Sequence, residues 1–66
     1  MISPDGFPRG IGRPATDALL AAGYTDLTQL DGMAEADLLR LHGVGPRAVA
    51  VLREALTQRG LGLRPG

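Results

Sequence analysis

Apolar residues recur at helical spacing in four blocks along the chain, and a glycine closes each block. The first block holds Ala15, Ala18, Leu19 and Ala22, with Leu20 at its edge. Positions three and four apart share one helix face, so this stripe predicts a first helix beginning near Pro14 and ended by Gly23. Leu27 and Leu30 predict a short second helix, with Thr25 as N-cap, Asp26 at the positive end of its dipole and Asp31-Gly32 as its stop. A third helix is predicted from Ala34 to Leu41, with Glu35 and Asp37 in its first turn and Met33, Leu38, Leu39 and Leu41 facing the core. Its N-cap position, Met33 or Ala34, offers no capping oxygen, which costs about 1 kcal/mol against Ser or Thr.

The fourth block is the longest. Val49, Leu52 and Leu56 fall on one face of a helix predicted from Pro46 to about Gln58, and Gly60 ends it. Arg47, Arg53, Glu54 and Gln58 mark its wet side. Ala48, Val51 and Ala55 widen its apolar face beyond one core contact. Either the helix is buried on two sides of a small bundle, or the extra width is a surface for self-association or a partner. Leu61 and Leu63 fold back as an anchor.

Between the third and fourth predicted helices lies Gly43-Val44-Gly45-Pro46. Two glycines around one Val permit a tight reversal, and Pro46 suits the first turn of a helix because its fixed φ is already helical. The stretch reads as helix, hairpin, helix. Residues 1–12, with two Pro and three Gly, read as an extended lead-in whose contacts with the core are Phe7 and Ile11. The boundaries follow: a flexible lead-in over 1–10, one all-α domain over 11–63 built as a bundle of four to five short helices, and a loose end over 64–66.

Sixty-six residues allow one domain with a small core, and with one Phe, one Tyr and no Trp that core is aliphatic. The absence of cysteine excludes disulfides and thiolate metal sites. No signal pattern opens the chain and no apolar run approaches a membrane span, so a cytoplasmic protein without a membrane role is expected.

Charge changes the picture more. The net charge is zero and all seven basic residues are arginine, but they segregate. From Pro14 to Leu39 there are acids and no Arg; from Arg40 onward stand Arg40, Arg47, Arg53, Arg59 and Arg64 against Glu54 alone. Arg9 and Arg13 add a small basic cluster near the start. Such asymmetry is either a solvated surface or one basic face for an anionic partner.

The fourth predicted helix leaves a glycine hairpin, so its first N–H groups are unpaired and carry the positive end of the dipole, a place suited to one phosphate. Pro46 donates nothing, which leaves Gly45, Arg47 and Ala48 as N–H donors, and the Arg47 side chain can grip a phosphate in a fork. Contacts of this kind position a nucleic acid without reading its sequence. His42, the one histidine, stands just before the hairpin, where it caps the third helix or approaches a phosphate; alone it makes no metal site. Nothing pairs a nucleophile with a base, so no enzyme, catalytic residue, metal or cofactor is expected.

Gly43-Val44-Gly45-Pro46-Arg47 between two apolar helices resembles the helix-hairpin-helix motif of DNA-repair and replication proteins. The resemblance widens to residues 11–63. Ala18-Leu19-Leu20-Ala21-Ala22-Gly23-Tyr24, Leu27-Thr28-Gln29-Leu30, Asp37-Leu38-Leu39 and Arg59-Gly60-Leu61-Gly62-Leu63 follow one another as in the C-terminal domain of the bacterial RNA polymerase alpha subunit, a SAM-like fold. That family implies minor-groove DNA binding, a place in transcription, and the start of the first helix beside the hairpin. Arg13 and Arg9 then join Arg47, Gly45, Ala48, Gly43 and His42 as the candidate DNA-binding set. Where the family carries Arg and Asn on the first helix this chain has Pro14 and Asp17, and where it carries polar residues on the fourth it has Ala48 and Val51. The expected partner is therefore DNA held weakly and without sequence preference. The alternative is a protein-interaction module that keeps the fold, with self-association through the fourth helix.

Overall fold

A computed structural model describes residues 6–65 of the chain. Three α-helices are present, α1 (Gly12–Ala21), α2 (Glu35–Leu39) and α3 (Pro46–Gln58), with 3₁₀ turns at Arg9–Ile11 and Leu27–Leu30. No strand forms among the described residues, so the protein is a mostly helical globule. No helix among them is long and apolar enough to cross a membrane.

Helix α1 starts earlier than the sequence suggests, at Gly12, and Pro14 occupies its first turn, where an N–H would lack an intrahelical partner in any case. Ala15 and Leu19 face the core as expected. Ala22 does not: α1 stops at Ala21, and Ala22 is an exposed C-cap. Gly23 takes φ +96° and donates its N–H to the Leu20 carbonyl at 3.0 Å, while Tyr24 donates to Leu19 at 2.9 Å. This is the Schellman closure, which satisfies carbonyls that the helix itself leaves open. Helix α3 ends the same way. Gly60 donates to Thr57 at 3.0 Å and Leu61 to Leu56 at 2.8 Å, which turns Leu61 back onto the core.

The second predicted helix is a 3₁₀ turn, and its N-cap is Asp26 rather than Thr25. The Asp26 carboxylate accepts from the Thr28 N–H at 3.1 Å, and the Gln29 side-chain oxygen accepts from the Asp26 and Thr25 N–H groups at 3.2 and 2.7 Å. Asp at this position bonds back to the chain more readily than Thr. Helix α2 is shorter than predicted, five residues ending at Leu39. Leu38 alone of that helix is fully buried, whereas Leu39 is 46% exposed instead of facing the core. The connection to α3 therefore runs over 40–45 rather than four residues, through successive turns in which Leu41 donates to the Leu38 carbonyl and Val44 to that of Leu41, each at 3.1 Å.

Both ends of the predicted domain move outward. Phe7 is completely buried and belongs to the same core as Ile11, Leu19, Leu27, Leu30, Leu38, Val49, Leu52 and Leu56. The Gly6 carbonyl accepts from the Leu27 N–H at 3.1 Å. Residues 6–10 are thus part of the domain and no flexible lead-in; residues 1–5 lie outside the described residues. The tail is not loose at Arg64. Its N–H donates to the Met33 carbonyl at 2.9 Å, its carbonyl accepts from Glu35 at 3.0 Å, and its side chain donates to the Gly32 carbonyl at 2.8 Å. Arg64 and Ala34 form a parallel bridge. Phe7, the one aromatic of an otherwise aliphatic core, fastens the N-terminal arm with the largest fully buried side chain. Replacing it by alanine, Phe7→Ala, should cost about 3–5 kcal/mol in a urea titration, as for other buried aromatics; a loss below 1 kcal/mol would return residues 6–10 to the status of a lead-in.

Candidate nucleic-acid interface

The candidate site is built on the turn that feeds α3. Val44, the single apolar residue between the two glycines, is only 5% exposed and pins the turn to the core. Gly43 takes φ +101°, a region that other residues rarely adopt. A Cβ on Gly43 would also stand 2.7 Å from the Pro14 carbonyl oxygen. The turn therefore packs backbone to backbone against the first turn of α1, and the start of α1 lies beside the start of α3. Gly45 differs. Its φ is −103° with ψ −179°, extended backbone open to any residue, and a Cβ there would meet nothing within 4 Å. One glycine of the pair is required by the fold, and the other is not.

Gly45 is the N-cap of α3 and provides no side-chain cap. Its carbonyl accepts from the Val49 N–H at 3.1 Å. Pro46 has no N–H, so the donors of this helix end without an intrahelical partner are Gly45, Arg47 and Ala48. Ala48 is only 6% exposed, its methyl packed in the core, which leaves its backbone N–H as the one group it can offer a ligand. Arg47 and His42 are exposed, and neither takes part in an ion pair or side-chain hydrogen bond among the described residues.

The other candidate arginines come in from two sides. Arg13 sits next to Pro14 in the first turn of α1 and approaches Asp17 at 3.8 Å, a solvent-exposed i,i+4 pair of little strength. Asp17 thus faces Arg13. Arg9 is exposed in the first 3₁₀ turn, without a carboxylate partner among the described residues. That turn packs on α3: a Cβ on Gly10 would lie 3.2 Å from Val51 Cγ1. Arg53 and Arg40 are engaged elsewhere, Arg53 with Glu35 at 3.0 Å and Arg40 with Asp37 at 3.8 Å.

Along the outer face of α3 runs an open groove of about 500 Å³, lined by Pro8, Ala50, Val51 and Ala55 with Arg47, Glu54, Gln58 and Arg59. The widened apolar face divides here. Ala48 is buried against the bundle, whereas Val51 and Ala55 are half-buried and line the groove. No group of three His, Asp or Glu side chains gathers as a metal site among the described residues.

The two glycines should separate in mutagenesis. Gly43→Ala should lose about 2–3 kcal/mol of stability, the upper part of the range for a disallowed backbone, because strain and a backbone clash coincide. Gly45→Asp should gain a few tenths of a kcal/mol by capping α3. Equal losses in thermal unfolding would show that both positions serve the fold alone. No family model matches the chain, and no curated protein or solved structure is significantly similar to it.

Proposed function

We propose that the protein is a small DNA-binding module of the helix-hairpin-helix kind, similar to the C-terminal domain of the bacterial RNA polymerase alpha subunit, that holds the phosphate backbone at the minor groove. The observation that carries this is the open start of α3. An extended glycine N-cap without a side chain over it, the orphan N–H groups of the first turn and an Arg47 without an ion-pair partner among the described residues belong to the same helix start. A phosphate there would accept from the Arg47 and Ala48 N–H groups, align with the helix dipole and pair with the guanidinium. The packing of Gly43 on Pro14 supports a second contact through Arg13, with Arg9 in the neighbouring turn. His42 borders the same turn and offers a further ring N–H.

Such a site positions a duplex and reads no bases. It is a binding surface, with no catalytic role assigned to any residue. With about two or three phosphates engaged, affinity is low and falls steeply with salt. The alternative, an interaction module that keeps the fold without touching DNA, draws its support from the apolar groove on α3.

Titration of the protein with a mixed-sequence duplex at low salt, followed by amide shifts in NMR, tests the proposal. Shifts should concentrate at Gly43–Ala48 and Arg9–Arg13, and disappear at moderate salt. Arg47→Ala should weaken binding equally on unrelated sequences and reduce the salt slope by about 1. Gly45→Asp, which leaves the fold intact, should abolish binding by placing a carboxylate on the same N–H groups. Absence of any shift at millimolar duplex would sink the idea.

A further inference from the structure

Two of the three charged residues that line the groove on α3, Arg47 and Glu54, exchange places when the helix is inverted. Arg47 and Glu54 lie two turns apart on the outer face, with Ala50 and Val51 between them. Both are exposed, and neither has an ion-pair partner among the described residues. Seven residues at 1.5 Å rise put about 10 Å of helix between them, so they cannot pair with each other.

We infer that α3 is an antiparallel docking face for a second copy of this chain, with the two-fold axis passing between Ala50 and Val51. In that register residue 47 of one copy faces residue 54 of the other, and the reverse, so one contact is made twice. Arg47 meets Glu54 at both ends of the seam, with Ala50 and Val51 on either side of its centre. Small residues at the centre let the two helices approach closely, while the outer charges fix direction: a parallel pairing would set Arg47 on Arg47 and Glu54 on Glu54.

A seam of one helix is below the area of stable dimers, so the association is weak, reversible and weakened by salt. It does not rest on the DNA-binding proposal: amide shifts with duplex report that one, and mass in the absence of nucleic acid reports this one.

Sedimentation equilibrium of the whole chain, up to on the order of 1 mM protein and at low salt because the interface is small, should show mass rising from monomer toward dimer. Arg47→Glu and Glu54→Arg should each weaken association by about tenfold or more, since each sets like charges face to face twice. Mixed one to one, the two variants should recover the mass of the parent, because every contact between unlike chains is again opposite in sign. Both positions are solvent-exposed, and circular dichroism of each variant verifies its helix content. A parent chain that stays monomeric throughout, single variants that associate as the parent does, or a mixture that stays monomeric would each overturn the inference.

Discussion

The close approach of the Gly43 backbone to the carbonyl of Pro14 sets the geometry of the end of the molecule where α1 and α3 begin. It joins the first turn of α1 to the turn that launches α3, two places far apart in sequence. Nothing larger than hydrogen at residue 43 fits that approach. Val44, next in the chain, drives its side chain into the core and fixes the direction in which the turn leaves. Together they set where α3 begins, next to the first turn of α1 that carries Arg13.

Helix α3 was the most legible element in the sequence. Its start at Pro46, its end before Gly60 and its buried Val49, Leu52 and Leu56 are where the period and the punctuation put them. Short elements were less legible because tertiary contacts decide them. Two leucines three apart fit one turn of 3₁₀ as well as one of α, and only Asp26 and Gln29 closing on each other settles which. Leu39 matches the apolar pattern of α2 but stands in solvent, since the helix stops there and the chain turns away. Phe7 and Ile11 enter the core as their apolar character in a Pro- and Gly-rich arm predicts, whereas Arg64 is held by backbone bonds that no side-chain pattern announces.

The candidate site divides along similar lines. Gly45 and Arg47 could be chosen from the sequence because an uncapped helix start after a glycine is a local feature. The inequality of the two glycines could not, since only packing distinguishes the one pressed against Pro14 from the one with open space at its Cβ position. Val44 carried a weak signal, a lone branched apolar side chain inside a glycine turn. The fate of the broad apolar face of α3 was also hidden: the helix wheel shows its width, and only the neighbouring elements show that Ala48 is covered while Val51 and Ala55 are left at a groove.

The two arms have a consequence for how the chain comes together. Gly6 binds to Leu27, and Gly62 binds to Gly32 on the N–H of the latter, so both arms fasten to the same middle segment. Closing such loops costs entropy that grows only with the logarithm of their length, but it must be met before the bonds reward it. The middle segment acts as a keystone. It has little helix of its own, α2 being five residues, and is held in place by what docks on it. The stretches from Gly6 to Leu27 and from Gly32 to Gly62 are thereby each closed into a loop on that segment, so the loss of either arm would leave backbone groups of the middle without their partners.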